Sequence, residues 1–374
     1  MKRTILTLVI FCVLLFSEIS SVSASTDLSL SIKSLLAIST EVSGDSLLRK
    51  ANLKSVKSYL DRNGVGQVEN DEIIDYVFSE LGYSAEQIQL IGYEELARIL
   101  TESVYIKVIE QYVKVSKDGS IDYLSKKQCF ESILQVKQYE NQELNGNAML
   151  SSEPVMTTSA TSPSNTSYHY YWSKDGYMKI LTTAYYLDPN IQGGIGYYTL
   201  SGTYTWLIIP NARLKDAFSI ATNNGKTAWQ LGDEDMSSRM QYTMKTNNNG
   251  SITTKLMGPY IKYKQDQYFS PNSGVYYTWD LPIDTFNWVS NIRKTVTSLS
   301  MYISAKARVS TYNESQEFNV FTVYQHAHPV INLGYSFSWN LGSQYPGVGV
   351  SLSPGIENSE YDGVNLISYH TDGH

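Results

Sequence analysis

Cysteine is nearly missing from this chain, with two in 374 residues, Cys12 and Cys129. Cys12 falls in an apolar leader, so the mature chain has one thiol and no internal disulfide. A secreted protein without disulfides must be held by its core alone, and this length can supply one. A lone thiol of this kind reads as an inert, buried side chain. Charge is also scarce, at 17% of residues with a net of −7, against about a quarter in ordinary soluble domains. Nothing makes a basic face, which excludes nucleic-acid binding through phosphate neutralisation. Histidine numbers five. No nucleophile elbow, phosphate loop, HExxH or paired-cysteine zinc pattern occurs, so no reaction and no cofactor is assigned.

Long apolar runs are confined to the start. Lys2 and Arg3 precede Ile5–Phe16 (ILTLVIFCVLLF), and Val22-Ser23-Ala24 supplies small residues. This is the three-part pattern of a secretory signal peptide over residues 1–24, cleaved after Ala24. The run is shorter than the roughly 20 residues of a membrane span. The mature chain is therefore expected outside the cell or on its surface.

What the chain has in excess is tyrosine, 30 residues, within an aromatic content of 12%. Its distribution divides the sequence. Residues 25–144 have helical texture, with Leu28, Ile32, Leu35 and Leu36, then Leu47, Leu48, Ala51, Val56 and Leu60, at helix spacing. Asp71 and Glu72 open a further helix that stops at Gly82. Ser84-Ala85-Glu86-Gln87 has the capping-box form. Gln111–Ser125 alternates around Asp118-Gly119 and predicts a hairpin. Residues 145–167 are rich in Ser, Thr and Asn and read as an exposed linker open to proteolysis, so the helical part could be a pro-segment.

Beyond the linker, residues 168–374 hold all six Trp and most of the Tyr in short alternating runs between Asn, Gly and Pro turns. Such a pattern predicts an antiparallel β-sandwich, with one short helix near Asp284–Ile292. The fold class is thus α+β in two parts: a small helical domain with a hairpin, then the sandwich. In Gly196–Phe218, Tyr198, Leu200, Gly202, Tyr204 and Trp206 share one strand face. Thr199, Ser201, Thr203 and Thr205 share the other, a ladder compatible with solvent. Pro210 ends the strand, and Arg213 and Asp216 can pair as a clasp or meet a ligand. Tyr204, Trp206, Arg213 and Asp216 are the candidate binding residues.

Other constellations are thinner. Asp61, Asn63 and Glu72 fit positions 1, 3 and 12 of a calcium loop, but Val65 stands at position 5. His326 and His328 make half a metal site without a third ligand. Asp233-Glu234-Asp235 reads as a solvated loop, and Asp280 and Asp284 as an unplaced carboxylate pair or, for Asp284, a helix cap.

Leu81–Ile91 (LGYSAEQIQLI), Lys114–Ser120 (KVSKDGS) and Tyr204–Ala217 (YTWLIIPNARLKDA) together resemble secreted proteins of unknown function from Gram-positive bacteria. The resemblance implies export and a helical part joined to a Tyr-rich β part, and brings no catalytic residues. The leading expectation is an exported, non-enzymatic interaction protein that meets a cell-wall or other glycan on aromatic side chains. Membrane contact by a toxin-like rearrangement of Thr295–Val309 and Tyr335–Ser353 stays open. So does a carboxylate-dependent hydrolase.

Overall fold

The structure, a computed structural model, describes residues 30–63, 71–116, 121–146, 175–192, 196–210, 215–222, 227–230, 235–263, 268–270, 274–287, 289–309, 317–327, 358–361 and 367–370. The leader, the 145–167 stretch beyond Gly146, Arg213 and His328 lie outside these. So do Trp172, Trp288 and Trp339.

Helix α1 (30–35) leads into the hairpin β1 (Ala37–Ser43) and β2 (Ser46–Asn52). Helices α2 (Lys54–Arg62), α3 (Asp71–Glu80), α4 (Ala85–Ile91) and α5 (Tyr93–Glu102) follow. Next come β3 (Ser103–Val115), β4 (Ile121–Leu124) and α6 (Lys126–Gly146). The chain resumes with β5 (Gly176–Leu187), α7 (Pro189–Gln192), β6 (Tyr197–Ile208), β7 (Lys215–Thr222) and β8 (Thr227–Trp229). A long hairpin, β9 (Met236–Asn248) and β10 (Ser251–Tyr263), precedes β11 (Tyr268–Ser270), β12 (Gly274–Asp280) and β13 (Thr285–Asn287). The remaining strands are β14 (Ile292–Val309), β15 (Glu317–Ala327), β16 (Asn358–Tyr361) and β17 (Ile367–His370).

Among the described residues strands dominate and every pairing is antiparallel. The larger sheet runs β1-β2-β3-β5-β6-β14-β9-β10, with β4 beside β3 and β8 and β13 beside β14. The smaller runs β11-β12-β7-β15-β16, with β17 also on β15. Helical and β parts are not separated at the Ser/Thr stretch. β3 pairs with β5 from Ser103↔Leu187 to Val115↔Gly176, so one sheet crosses the expected boundary.

Three regions differ from the sequence reading, each because tertiary pairing overrides local spacing. Leu47, Leu48 and Ala51 belong to β2, held between β1 and β3, and only Val56 and Leu60 are helical. The break is local: Asn52 Oδ1 accepts the Lys54 N–H at 3.0 Å, which starts α2. Ser103–Glu110, unassigned by periodicity, extends the expected hairpin strand at its start. At Asp284–Ile292 the chain forms β13 and a turn instead of a helix, with β13 pairing back on β14. The Ser84 cap does form, with reciprocal Ser84 and Gln87 hydrogen bonds.

The larger sheet is a middle layer. One face shares a core with the smaller sheet: Met178, Ile180, Tyr204, Trp206, Leu299 and Met301 meet Phe218, Ile220, Tyr277, Val320 and Tyr324. The other face meets the helices: Ile106, Val108, Leu181, Tyr185 and Tyr302 pack against Phe78, Leu90, Leu96 and Leu100. The Thr/Ser ladder of β6 therefore faces the helices and not solvent. Thr199, Ser201 and Thr203 are buried. Gln87 Nε2 donates to Thr205 Oγ1 at 2.8 Å, and the Tyr83 hydroxyl lies 2.6 Å from Thr183 Oγ1 and 2.9 Å from the Tyr185 hydroxyl. Hydroxyls small enough to admit a helix layer supply polar partners at Thr183 and Thr205, while those of Thr199, Ser201 and Thr203 are buried without one among the described residues.

Gly202 sets the spacing between the sheets. A Cβ there would lie 2.9 Å from Thr322 Cγ2 on β15 and 3.1 Å from the Tyr204 ring. Gly202→Val is expected to lower stability by about 1–3 kcal/mol through overpacking. Urea unfolding measures it, and an unchanged midpoint would refute the close approach.

Candidate functional site

Where the smaller sheet stops covering the larger, a groove remains over β1, β2 and β3. It encloses about 380 Å³ and is lined by Ala37, Ile38, Ser39, Lys50, Ala51, Asn52, Tyr105, Ile106 and Lys107. Strand alternation builds it. Ala51 and Ile106 turn to the helix core and Ile38 packs against it. The register rows Ser39↔Lys50↔Lys107 and Ala37↔Asn52↔Tyr105 alternate with them and project to the opposite face.

Tyr105 is the aromatic floor. Its ring stacks on Tyr186 at 6.5 Å between centroids, and Tyr186 meets Tyr198 at 5.1 Å. A tyrosine row thus leads from the open edge into the core. Only its outer member is partly exposed, since Tyr186 and Tyr198 are buried. Lys54, at the start of α2, holds its Nζ 4.7 Å from the Tyr105 ring centre.

The groove is cationic. Lys50 and Lys107 stand directly opposite each other across β2 and β3, a like-charge arrangement that costs stability. Burial, and then the Lys50 charge, hold the Lys107 ammonium below the usual lysine range. The nearest acid is Glu41, whose Oε1 lies 3.0 Å from Lys50 Nζ. Three lysines and one carboxylate leave local positive charge on an acidic protein.

On the helix side of the same sheet lies a second charged cluster. Glu110 is almost fully buried, with Oε2 2.6 Å from Arg49 Nη1, and Oε1 accepting from the Tyr112 hydroxyl at 2.5 Å. Lys126 Nζ stands 3.6 Å and Lys179 Nζ 4.0 Å from its oxygens. Gly82, at φ +95°, closes the site: a Cβ there would sit 2.7 Å from Glu110 Oε2. Lys179 also donates to the Gly82 carbonyl. Burial pushes the Lys179 ammonium down to about 8 against the pull of Glu110. The Glu110 carboxyl is held below its ordinary range, where Lys179, Tyr112 and Arg49 outweigh burial. This cluster ties β2, β3, β5 and α6 together around the buried Glu110 carboxylate, as a joint.

The expected site residues are dispersed. Tyr204 and Trp206 are 0% and 3% exposed, between the sheets, because alternation sends the large even-numbered side chains of β6 inward. They form no external stacking face in this packing. Asp216 is also fully buried and accepts the Tyr324 hydroxyl; its proposed partner Arg213 is outside the described residues. Asp61 and Asn63 end α2, where Asn63 Nδ2 donates to the Tyr59 carbonyl at 2.7 Å. Glu72 pairs with Lys33 at 3.0 Å. Among the described residues no group of three or more His, Cys, Asp or Glu could hold a metal ion. Asp284 Oδ1 accepts the Val296 N–H at 2.9 Å and pins the β13–β14 hairpin. His326 lies in β15 opposite Ser359. Asp235 lies 3.8 Å from Lys306 Nζ. Cys129 is fully buried beside Tyr112 and Ile133, and burial pushes its thiol up to about 11, which keeps it unreactive.

Sequence reasoning passed over Tyr105, Lys50 and Lys107. The signal was present in Ser103–Val115, SVYIKVIEQYVKV, where Val104, Ile106 and Val108 alternate with Tyr105 and Lys107.

Comparison with protein-family models finds no match, and comparison with curated proteins finds none. Among solved structures, the chain is similar to one described by the words "AvmM catalyzes macrocyclization in alchivemycin A biosynthesis". Identity there is 10% and the TM-score 0.16, over 47% of this chain and 81% of that one. A structure described for pH-induced modulation of Streptococcus parasanguinis adhesion by Fap1 fimbriae gives 12% identity and a TM-score of 0.17, over 50% and 80%. The collagen adhesin of S. aureus gives 10% and 0.12, over 41% and 57%. At these TM-scores the likenesses carry no argument about this chain.

Proposed function

We propose that the chain is an exported, non-enzymatic interaction protein, of the kind found in the secreted Gram-positive proteins it resembles. Its groove over β1–β3 binds a glycan or other surface component. The observation that carries this reading is the Tyr105 ring, partly exposed on the floor of an open groove and flanked by Lys50, Lys107 and Asn52. A sugar ring takes the Tyr105 face over which Lys54 Nζ stands in the free protein, while its hydroxyls take hydrogen bonds from ammonium and amide groups. Export is supported by the basic start, apolar run and small residues of the first 24 positions. Cell-wall polymers and common polysaccharides, immobilised separately, are the probes. Retention is expected on at least one, and Tyr105→Ala is expected to weaken it about 30-fold, as for a central aromatic anchor. Retention on none, or retention indifferent to Tyr105→Ala and Lys107→Glu alike, would remove the reading.

A further inference from the structure

Far from the groove, β9, β10, β13 and β14 end in an arm that stands in solvent. In the register row Ile252↔Asn247↔Arg293↔Phe286 all four residues are exposed, and in the neighbouring row so are Thr253, Lys294 and Thr285. Both faces are therefore uncovered, which is unusual for a sheet.

The end of the arm is rigid and apolar. Asn249 and Gly250, at φ 50° and 90°, make the tight turn that joins β9 to β10. Asn247 Oδ1 accepts the Gly250 N–H at 2.9 Å. In the adjacent turn Asn287 Oδ1 accepts the N–H groups of Val289 and Ser290 at 3.0 and 3.2 Å. Asn291 Nδ2 donates to Asn249 Oδ1 at 3.0 Å and locks the two turns side by side. This frame holds Val289 wholly exposed, with Ile252 56% and Phe286 41% exposed around the same end. Apolar side chains gathered at a hydrogen-bonded tip mark an interaction site.

Charge identifies the partner. Lys245, Lys255, Arg293 and Lys294 are all exposed on the arm. Across residues 243–256 and 283–297 the one acid is Asp284, whose carboxylate holds the Val296 N–H. The arm is positive on a chain of net charge −7. Lys255 follows Ile252 by three residues, about 10 Å along a strand, which matches the roughly 5–10 Å depth of interfacial apolar insertion.

We propose that this arm docks the protein on an anionic lipid surface. Ile252, Phe286 and Val289 enter the headgroup boundary, and the four basic side chains meet lipid phosphates. Two copies joined tip to tip would bring like charges together. Strand addition along β10 is opposed by its irregularity between Met257 and Tyr260, which contains Pro259. No helix among the described residues is long and apolar enough to cross a membrane, so the contact is interfacial.

The test sediments the mature chain, from Ser25 onward, with phosphatidylcholine vesicles, with and without one third phosphatidylglycerol. Binding is expected with the anionic lipid only, and to weaken with salt. Arg293→Gln with Lys294→Gln is expected to cost about 30-fold, at roughly fivefold per basic side chain. Val289→Ser removes a side chain that touches nothing, so its effect on vesicle binding cannot come from misfolding. An environment-sensitive dye on Val289→Cys, with the native Cys129 buried and unlabelled, should brighten and shift to the blue on anionic vesicles. Absence of binding, or binding indifferent to the tip and basic variants, would overturn the proposal. So would a dimer that forms without lipid and dissolves in Val289→Ser, which would assign the tip to a second copy.

Discussion

A chain cut between Gly146 and Asp175 is expected to remain one particle, and the piece that begins at Asp175 is expected not to fold alone. The reason is the β3–β5 ladder, which runs from Ser103↔Leu187 to Val115↔Gly176 across the cut. Without β3, the N–H and C=O groups of β5 become a raw edge in what is now the centre of a sheet. Without the helices, Leu181, Tyr185 and Tyr302 lose their cover, as does the Ser/Thr face of β6. Exposing three large side chains costs about 2–3 kcal/mol each. With the lost ladder, this matches the whole stability of an ordinary domain, about 5–15 kcal/mol. A protease site placed between the two residues tests it. The fragments should co-elute in native buffer and part only in denaturant. Separation in native buffer, or a cooperative melt of the isolated second fragment, would show two independent units and restore the pro-segment reading.

The difference between this ladder and the sequence reading has a physical origin. Alternation made β5, β6, β9, β12 and β14 legible, because each puts apolar residues on one face at period two. Their partners were not legible, since antiparallel register is set by contacts distant in sequence. β6 shows the gap best. Its even positions, Tyr198 to Trp206, were placed on one face, which the structure bears out. Its odd positions, Thr199 to Thr205, look solvent-facing only while nothing covers them. Gln87 and Tyr83, more than a hundred residues earlier, supply the cover, and Gln87 a hydrogen bond to Thr205, while the Thr199, Ser201 and Thr203 hydroxyls stay buried without a partner among the described residues.

The groove was hidden for a related reason. Thirty tyrosines drew attention to the β part, where, among the described residues, many are core: Tyr198, Tyr204, Tyr277, Tyr302 and Tyr324 are fully buried. The tyrosine that reaches a groove, Tyr105, sits in the part read as helical. Lys50 and Lys107 lie 57 positions apart and become neighbours only through the β2–β3 register. No periodicity could join them.

Glu110→Ala is expected to destabilise the protein by about 3–5 kcal/mol at neutral pH, as when one partner of a buried ion pair is removed. The change leaves Arg49, Lys126 and Lys179 facing one another, and the Tyr112 hydroxyl without its acceptor. The pH dependence separates this electrostatic loss from simple cavity formation. Because the folded Glu110 carboxyl titrates below its unfolded value, its contribution is complete above the ordinary carboxylate range and is lost as pH falls through the folded pKa. Lys179 acts in the same sense at higher pH. Its folded pKa is about 8 against 10.5 unfolded, so between these values the unfolded chain binds more protons and stability rises with pH. Once Lys179 is neutral, Glu110 no longer attracts it, and the penalty of Glu110→Ala should shrink from pH 7 towards pH 10. Urea midpoints of wild type and variant at both pH values measure this. Glu110→Gln with Lys179→Met, which removes both charges, should recover part of the loss. A penalty below about 1 kcal/mol, well short of a broken buried pair, or one constant with pH, would show that the cluster is solvated and that α6 and β5 are held by packing alone.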